Sequence, residues 1–402
     1  MGTSLKLFRI NNIEVRVHWS FVLILVYGAF AYSQGPAGVL IGAIYGVVAI
    51  LLLFVCVTLH EFGHALVAQY YGVHVKSIML FPIGGVANLE RLPEKPIQEF
   101  LIAIAGPLVN FVLAFILLPF VMVGVAMQVR SGNGPNGILE LLADAQTPGI
   151  INLLVYLLLM NLMLALFNLL PAFPMDGGRI LRSLLAMTMN YVQATRVAVT
   201  VGRIVAVLLA IWGIFLWSSG GGGIFLLLIA FFVYVGGGAE REGVESRAIL
   251  RNFTARDALT PGAGNFYITD RLQRAADQLM VSYQTDYPVL DLGGQFAGVL
   301  TRSGLIRALE EYGSDGRVVD AMLPAGDVPV CKPTADLVSV WEQMSVSGTR
   351  VVAVKDDGQF LGLITIDDLT EVVHVMGAAT NRKRAPAPQN PSSHLDGNSA
   401  DA

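Results

Sequence analysis

The chain has 402 residues, 54% of them hydrophobic and 14% charged, and a mean hydropathy of +0.62, too apolar for an ordinary soluble domain. A formal net charge of −4 and the lack of a basic stripe exclude a nucleic-acid partner. Two cysteines, Cys56 and Cys331, exclude a disulfide framework or a cysteine-based zinc knuckle.

In chain order, six apolar segments are predicted to cross a membrane: about 17–33, 37–72, 97–128, 149–171, 197–217 and 222–238. Each is near or beyond the roughly 18–20 residues that span a bilayer. Lys6, Arg9 and Arg16 precede the first without a small-residue cleavage site, so it reads as a retained anchor. With six spans, those charges share one side with Lys76, Arg91, Lys95, Arg179, Arg182 and Arg196. Arg130, Glu140 and Asp144 fall on the other. The bias predicts a multi-pass protein of the cell membrane with both termini cytoplasmic.

The second segment contains "LHEFGHAL". His60 and His64 are four apart, so both imidazoles leave one helix face a turn apart. That spacing lets two nitrogens reach a single Zn²⁺ at about 2.0–2.1 Å. Glu61 is rotated off that face, as the general base of a H-E-x-x-H helix would be. Charged groups at bilayer depth are costly and need a functional reason. Zinc requires a third protein ligand and an open position. Cys56, one turn earlier, reads as a small buried residue.

Between segments two and three, "VHVKSIMLFPIGGVANLE" (73–90) is β-branched and broken by Pro82, Gly84 and Gly85. It reads as a short hairpin or re-entrant loop at the membrane edge. Its role is either β-augmentation of an unwound substrate around Gly84 and Gly85, or that of an interfacial loop without substrate contact.

Segment four runs into "NLMLALFNLLPAFPMDGGRI" (161–180). Its prolines break the helix and free backbone groups. Asp176 then falls at the depth of the histidine pair and is the candidate third ligand. Asn168, two turns earlier, is a candidate for binding the substrate carbonyl, or a plain interhelical hydrogen-bonder.

Gly236 to Gly238 end the last apolar run, and charges follow at once. Residues 250–376 read as soluble α/β with an internal repeat. "TARDALTPGAG" at 254 is echoed by "RVVDAMLPAGD" at 317, and "GGQFAGVLTRSGLIRAL" at 293 by "DGQFLGLITIDDLTEVV" at 357. The expected division is 1–240 membrane domain, 241–252 connector, 253–313 and 314–376 paired modules, and 377–402 disordered tail.

"HEFGH" followed by "NLLPAFPMDGG", with "AGPLVN" (105–110) between them, resembles the site-2 proteases, intramembrane zinc metalloproteases of peptidase family M50. The resemblance implies that His60, His64 and Asp176 bind zinc and that Glu61 is the catalytic acid/base. It also implies cleavage of a transmembrane segment in a single-span partner. The repeated modules look like a tandem pair of CBS domains, a family that binds adenine nucleotides such as ATP or AMP. Thr365 and Asp368 match its Thr/Ser-x-x-Asp element; the first module has Thr301 but Gly304 in the acid's place. A structural or dimerising pair, giving a homo-oligomer, is the alternative. The expected fold class is a polytopic α-helical membrane domain of about six transmembrane helices with a small re-entrant β-hairpin, followed by a soluble α/β tandem CBS pair. The competing functional class is a CBS-regulated transporter or channel, which inverted repeats would favour; no second half matching "HEFGH" is present.

Overall fold

A computed structural model describes residues 4–89, 95–130, 147–259, 264–282 and 284–382. The chain begins with a β-hairpin, β1 (Ser4–Ile10) and β2 (Ile13–His18). Asn11 and Asn12, at φ of 52° and 65°, form its turn; two left-handed central residues match the right-handed twist of the strands. Helix α1 (Phe21–Ser33) follows with 13 residues. At about 1.5 Å per residue it reaches roughly 20 Å, short of the ~30 Å hydrocarbon core. The first of the six expected spans is therefore a strand and a short apolar helix.

Among the described residues, five helices are long and apolar enough to cross a membrane. They are α2 (Val39–Tyr70), α3 (Pro96–Arg130), α4 (Ile150–Asn168), α6 (Tyr191–Ser218) and α7 (Ile224–Leu250). The chain is a multi-pass membrane protein. Gly28 of α1 and Gly46 of α2 pack backbone against backbone, the close approach that small residues permit between membrane helices.

The hairpin expected at 73–90 is present as β3 (Val75–Phe81) and β4 (Gly84–Leu89). It is half of a larger sheet of order β1-β2-β3-β4, in which β2 and β3 run parallel. Ile13, Val15, Val75, Ile78 and Leu80 bury one face of that sheet against Phe62, Ala65 and Ala68 of α2. This packing braces the part of α2 that carries the histidines. Gln69 Nε2 adds a hydrogen bond to the Asn11 carbonyl (3.1 Å).

Helix α7 does not end at Gly236–Gly238; it runs on to Leu250 through the expected connector. A Cβ on Gly236 would sit 2.7 Å from Pro174 Cδ. That glycine serves close packing, which is why it leaves the helix unbroken.

The chain divides into two compact units, Met1–Glu242 and Gly243–Ala402. The second holds two sheets. One has order β5-β6-β7-β8 (Phe266–Tyr267, Asp286–Leu290, Phe296–Thr301, Leu323–Pro324). The other has order β11-β10-β9 (Gln359–Thr365, Val351–Asp356, Val330–Cys331). The repeat is visible as two antiparallel hairpins, β6-β7 and β10-β11, each running directly into a helix. Phe296 and Val299 of one sheet pack with Val351 and Ala353 of the other. The last described helix ends at Arg382, inside the segment expected to be disordered; 383–402 lie outside the described residues, as do Arg91, Glu140 and Asp144.

Candidate metal centre

α4 stops at Asn168 because Pro171 and Pro174 cannot continue it. The chain turns, and a new helix, α5 (Asp176–Ala186), opens on Asp176, where the helix dipole favours a carboxylate. Gly177 and Gly178 pack on the backbone of Leu169–Leu170 and Ala172–Phe173, where a side chain would collide. This tight turn carries Asp176 to α2. Its Oδ2 lies 3.1 Å from His64 Nε2 and 3.3 Å from His60 Nε2, and the two Nε2 atoms are 3.1 Å apart.

These separations fit a hydrogen-bonded cluster and a cation site alike, and the donor set favours the second. His64 Nδ1 is 2.7 Å from the Ile102 carbonyl, which can only accept, so Nδ1 carries the proton. In the neutral ring Nε2 then presents a lone pair towards a carboxylate oxygen and a second imidazole nitrogen. Three acceptors converging in a buried site need a shared positive charge. Tetrahedral bonds of about 2.05 Å imply ligand atoms roughly 3.3 Å apart, close to all three distances. Two imidazoles and one carboxylate are also a catalytic zinc donor set, with a fourth position left for water or substrate.

Gly106 of α3 makes room for this centre. A Cβ there would fall on His64 Nε2 and lie 2.7 Å from His60 Cε1. Glu61, half-buried, faces β4: a Cβ on Gly85 would be 2.6 Å from Glu61 Cγ. Asn168 stands at the end of α4. Gly124 of α3 meets Ile151 of α4 (2.9 Å), and Ala114 and Val121 pack with Leu158 and Val155 in antiparallel order.

Peptidase family M50 matches residues 48–212 and the CBS domain matches 318–375. A zinc metalloprotease of Methanocaldococcus jannaschii is 32% identical over 94% of this chain and 98% of its own length. The chain is an M50 zinc metalloprotease. Rip3 of Mycobacterium tuberculosis is 29% identical over 93% of this chain and 94% of its own. Among solved structures, the site-2 protease of M. jannaschii is 37% identical, covering 59% of this chain and 95% of that one at a TM-score of 0.39. The enzyme assignment replaces the transporter or channel reading.

A second buried cluster in the protease was not foreseen. Arg182, counted above as a loop charge, is fully buried, and so is Glu99 of α3. The guanidinium lies between the rings of Phe173 (4.9 Å) and Tyr191 (4.8 Å). Its Nε donates to Glu99 Oε1 (2.9 Å) and its Nη1 to Glu240 Oε1 of α7 (2.5 Å). Tyr191 Oη also donates to Glu99 (3.3 Å). Arg182 is on the helix that begins with Asp176, so this cluster fixes α5 against α3, α6 and α7. The available signal was a lone Glu in an apolar stretch, which at membrane depth calls for a partner.

In the second unit, Asp368 Oδ2 accepts from Thr365 N and Thr365 Oγ1, both at 2.7 Å. Thr365 and Asp368 thus cap the helix that follows β11. In the first module Thr301 Oγ1 accepts from Gly304 N (3.0 Å), without an acid. Burial raises the Asp286 carboxyl; Thr285 and Arg350 oppose this, and Asp367 and Asp368 add to it.

Proposed function

We propose that this protease cleaves within the membrane, hydrolysing a peptide bond in or near the transmembrane segment of a single-span partner. His60, His64 and Asp176 would hold one zinc ion. The supporting observation is a three-donor cluster with zinc-like spacing, two of whose donors lie buried on a helix apolar enough to span a bilayer. Zinc, when bound, supplies a Lewis acid that polarises a carbonyl and makes a water acidic. Glu61 takes the proton of the attacking water and returns it to the leaving amine nitrogen. His64, locked by Ile102, keeps its lone pair aimed at the centre. Asn168 donates its amide N–H to the substrate carbonyl oxygen as charge develops there.

β4 is an edge strand running past Glu61. An unwound substrate segment pairs with it by strand addition, with Gly84 and Gly85 offering bare backbone; at Gly85 a side chain would displace Glu61. The C-terminus and the CBS modules lie on the cytoplasmic side. The test is co-expression with single-span membrane proteins, comparing wild type with Glu61→Gln. Cleavage should fall by at least about 100-fold with zinc retained; processing that survives the substitution refutes the mechanism.

Thr365 and Asp368 would contact the ribose and phosphates of one adenine nucleotide in the second module. The nucleotide would act through α7, the helix that carries Glu240, if its affinity differs between two states. Thermal-shift titration of the full chain with ATP and AMP tests this. A shift abolished by Asp368→Ala is expected; no shift with either nucleotide leaves the pair structural.

A further inference from the structure

Two buried polar groups, one on α2 and one on α3, lack a hydrogen-bond partner among the described residues. One is His60 Nδ1; the other is the side-chain amide of Asn110, both of whose polar atoms are unpaired and which is 0% exposed. The helix register brings them to the same turn. His64 Nδ1 meets the Ile102 carbonyl, and Gly106 lies under both imidazoles. One more turn along α3 is Asn110, and the matching step back along α2 is the turn before His60. Helical side chains lean towards the N-terminus of their own helix, so the His60 ring reaches back over that turn.

A histidine that ligates through Nε2 carries its proton on Nδ1, and ligating histidines almost always donate that proton to an outer partner. His64 has such a partner in Ile102. His60 has none in direct contact, while a fully buried acceptor and donor wait at Asn110. A site with a ring N–H, an amide oxygen and an amide N–H has enough polar partners for one buried water. We propose that Asn110 is a positioning residue for His60, acting through one buried water that accepts from His60 Nδ1–H and is held by the Asn110 amide. The proposal rests on the assignment of zinc to His60, His64 and Asp176.

The test is zinc affinity of the purified full chain, by competition with a chromogenic chelator, together with melting of the metal-free protein. Asn110→Leu should bind zinc about 10- to 100-fold more weakly, while its metal-free melting temperature does not fall, because the lost amide had no protein partner. Asn110→Asp keeps an acceptor and should bind within about threefold of wild type, or tighter. Wild-type affinity in Asn110→Leu, or a lowered metal-free melting temperature, overturns the proposal. Should Asn110→Leu fail to fold, Asn110→Asp decides: retained affinity supports the role and a loss of more than about tenfold refutes it. A wild-type chain that takes up no zinc would defeat the metal assignment itself, a distinguishable result.

Discussion

Gly106→Ala is expected to empty the metal centre while the membrane unit stays folded. The added methyl falls on the His64 imidazole and beside His60 Cε1, and the His64 ring is not free to retreat. His64 is tied to Ile102 by its Nδ1, and α3 is held close to α2 where Gly63 packs on the Ala105 carbonyl (a Cβ there would be 2.9 Å away). Overpacking of this kind costs about 1–3 kcal/mol, which a large helical unit survives. The ligand geometry does not survive it, since a zinc site tolerates errors of only about 0.2 Å. Zinc affinity should fall at least about 100-fold, beyond what loss of an outer partner costs, and proteolysis should be lost with it. Chelator competition and a cleavage assay read the two effects; wild-type values for both would show that Gly106 does not abut the histidines.

Arg182→Met should have the largest effect on stability. It removes the cation between Glu99 and Glu240 and leaves the Glu99 carboxylate buried without its charge partner. Breaking a buried pair in this way typically costs about 3–5 kcal/mol. Most of that cost is the uncompensated charge left behind, so adding Glu99→Gln should recover a substantial part of the loss. Denaturation in detergent measures both variants. A single variant as stable as wild type, or a double variant no better than the single, would mean that the pair does not hold α5.

The candidate metal centre was legible because its signals are local: a four-residue histidine spacing fixes a helix face, and the run of Pro171, Pro174, Asp176, Gly177 and Gly178 fixes a break with a carboxylate after it. Bringing Asp176 to His60 required only that two segments end at one depth. The N-terminal hairpin was missed although "LKLFRINNIEVRVH" alternates with period two around an Asn-Asn turn; the apolar run just after it dominated the window and drew the span boundary too early. Gly236–Gly238 illustrate the opposite error. Glycine suggests a helix end, yet Gly236 stands where α7 touches Pro174, a contact visible only in three dimensions. Arg182 escaped for a related reason: counting Lys and Arg by loop treats each as solvated, and pairing with residues far away in sequence leaves no local trace. The contact of Gly85 with Glu61 likewise depends on the sheet lying against α2.

The most direct measurement is X-ray absorption at the zinc edge of the purified chain, paired with metal analysis of wild type and Asp176→Ala. About one zinc per wild-type chain is expected, bound by two imidazole nitrogens and carboxylate or water oxygen at roughly 2.0–2.2 Å, with the ion largely lost from the variant. A wild-type chain without zinc, a sulfur-bound metal, or full zinc retention after removal of Asp176 would contradict the account.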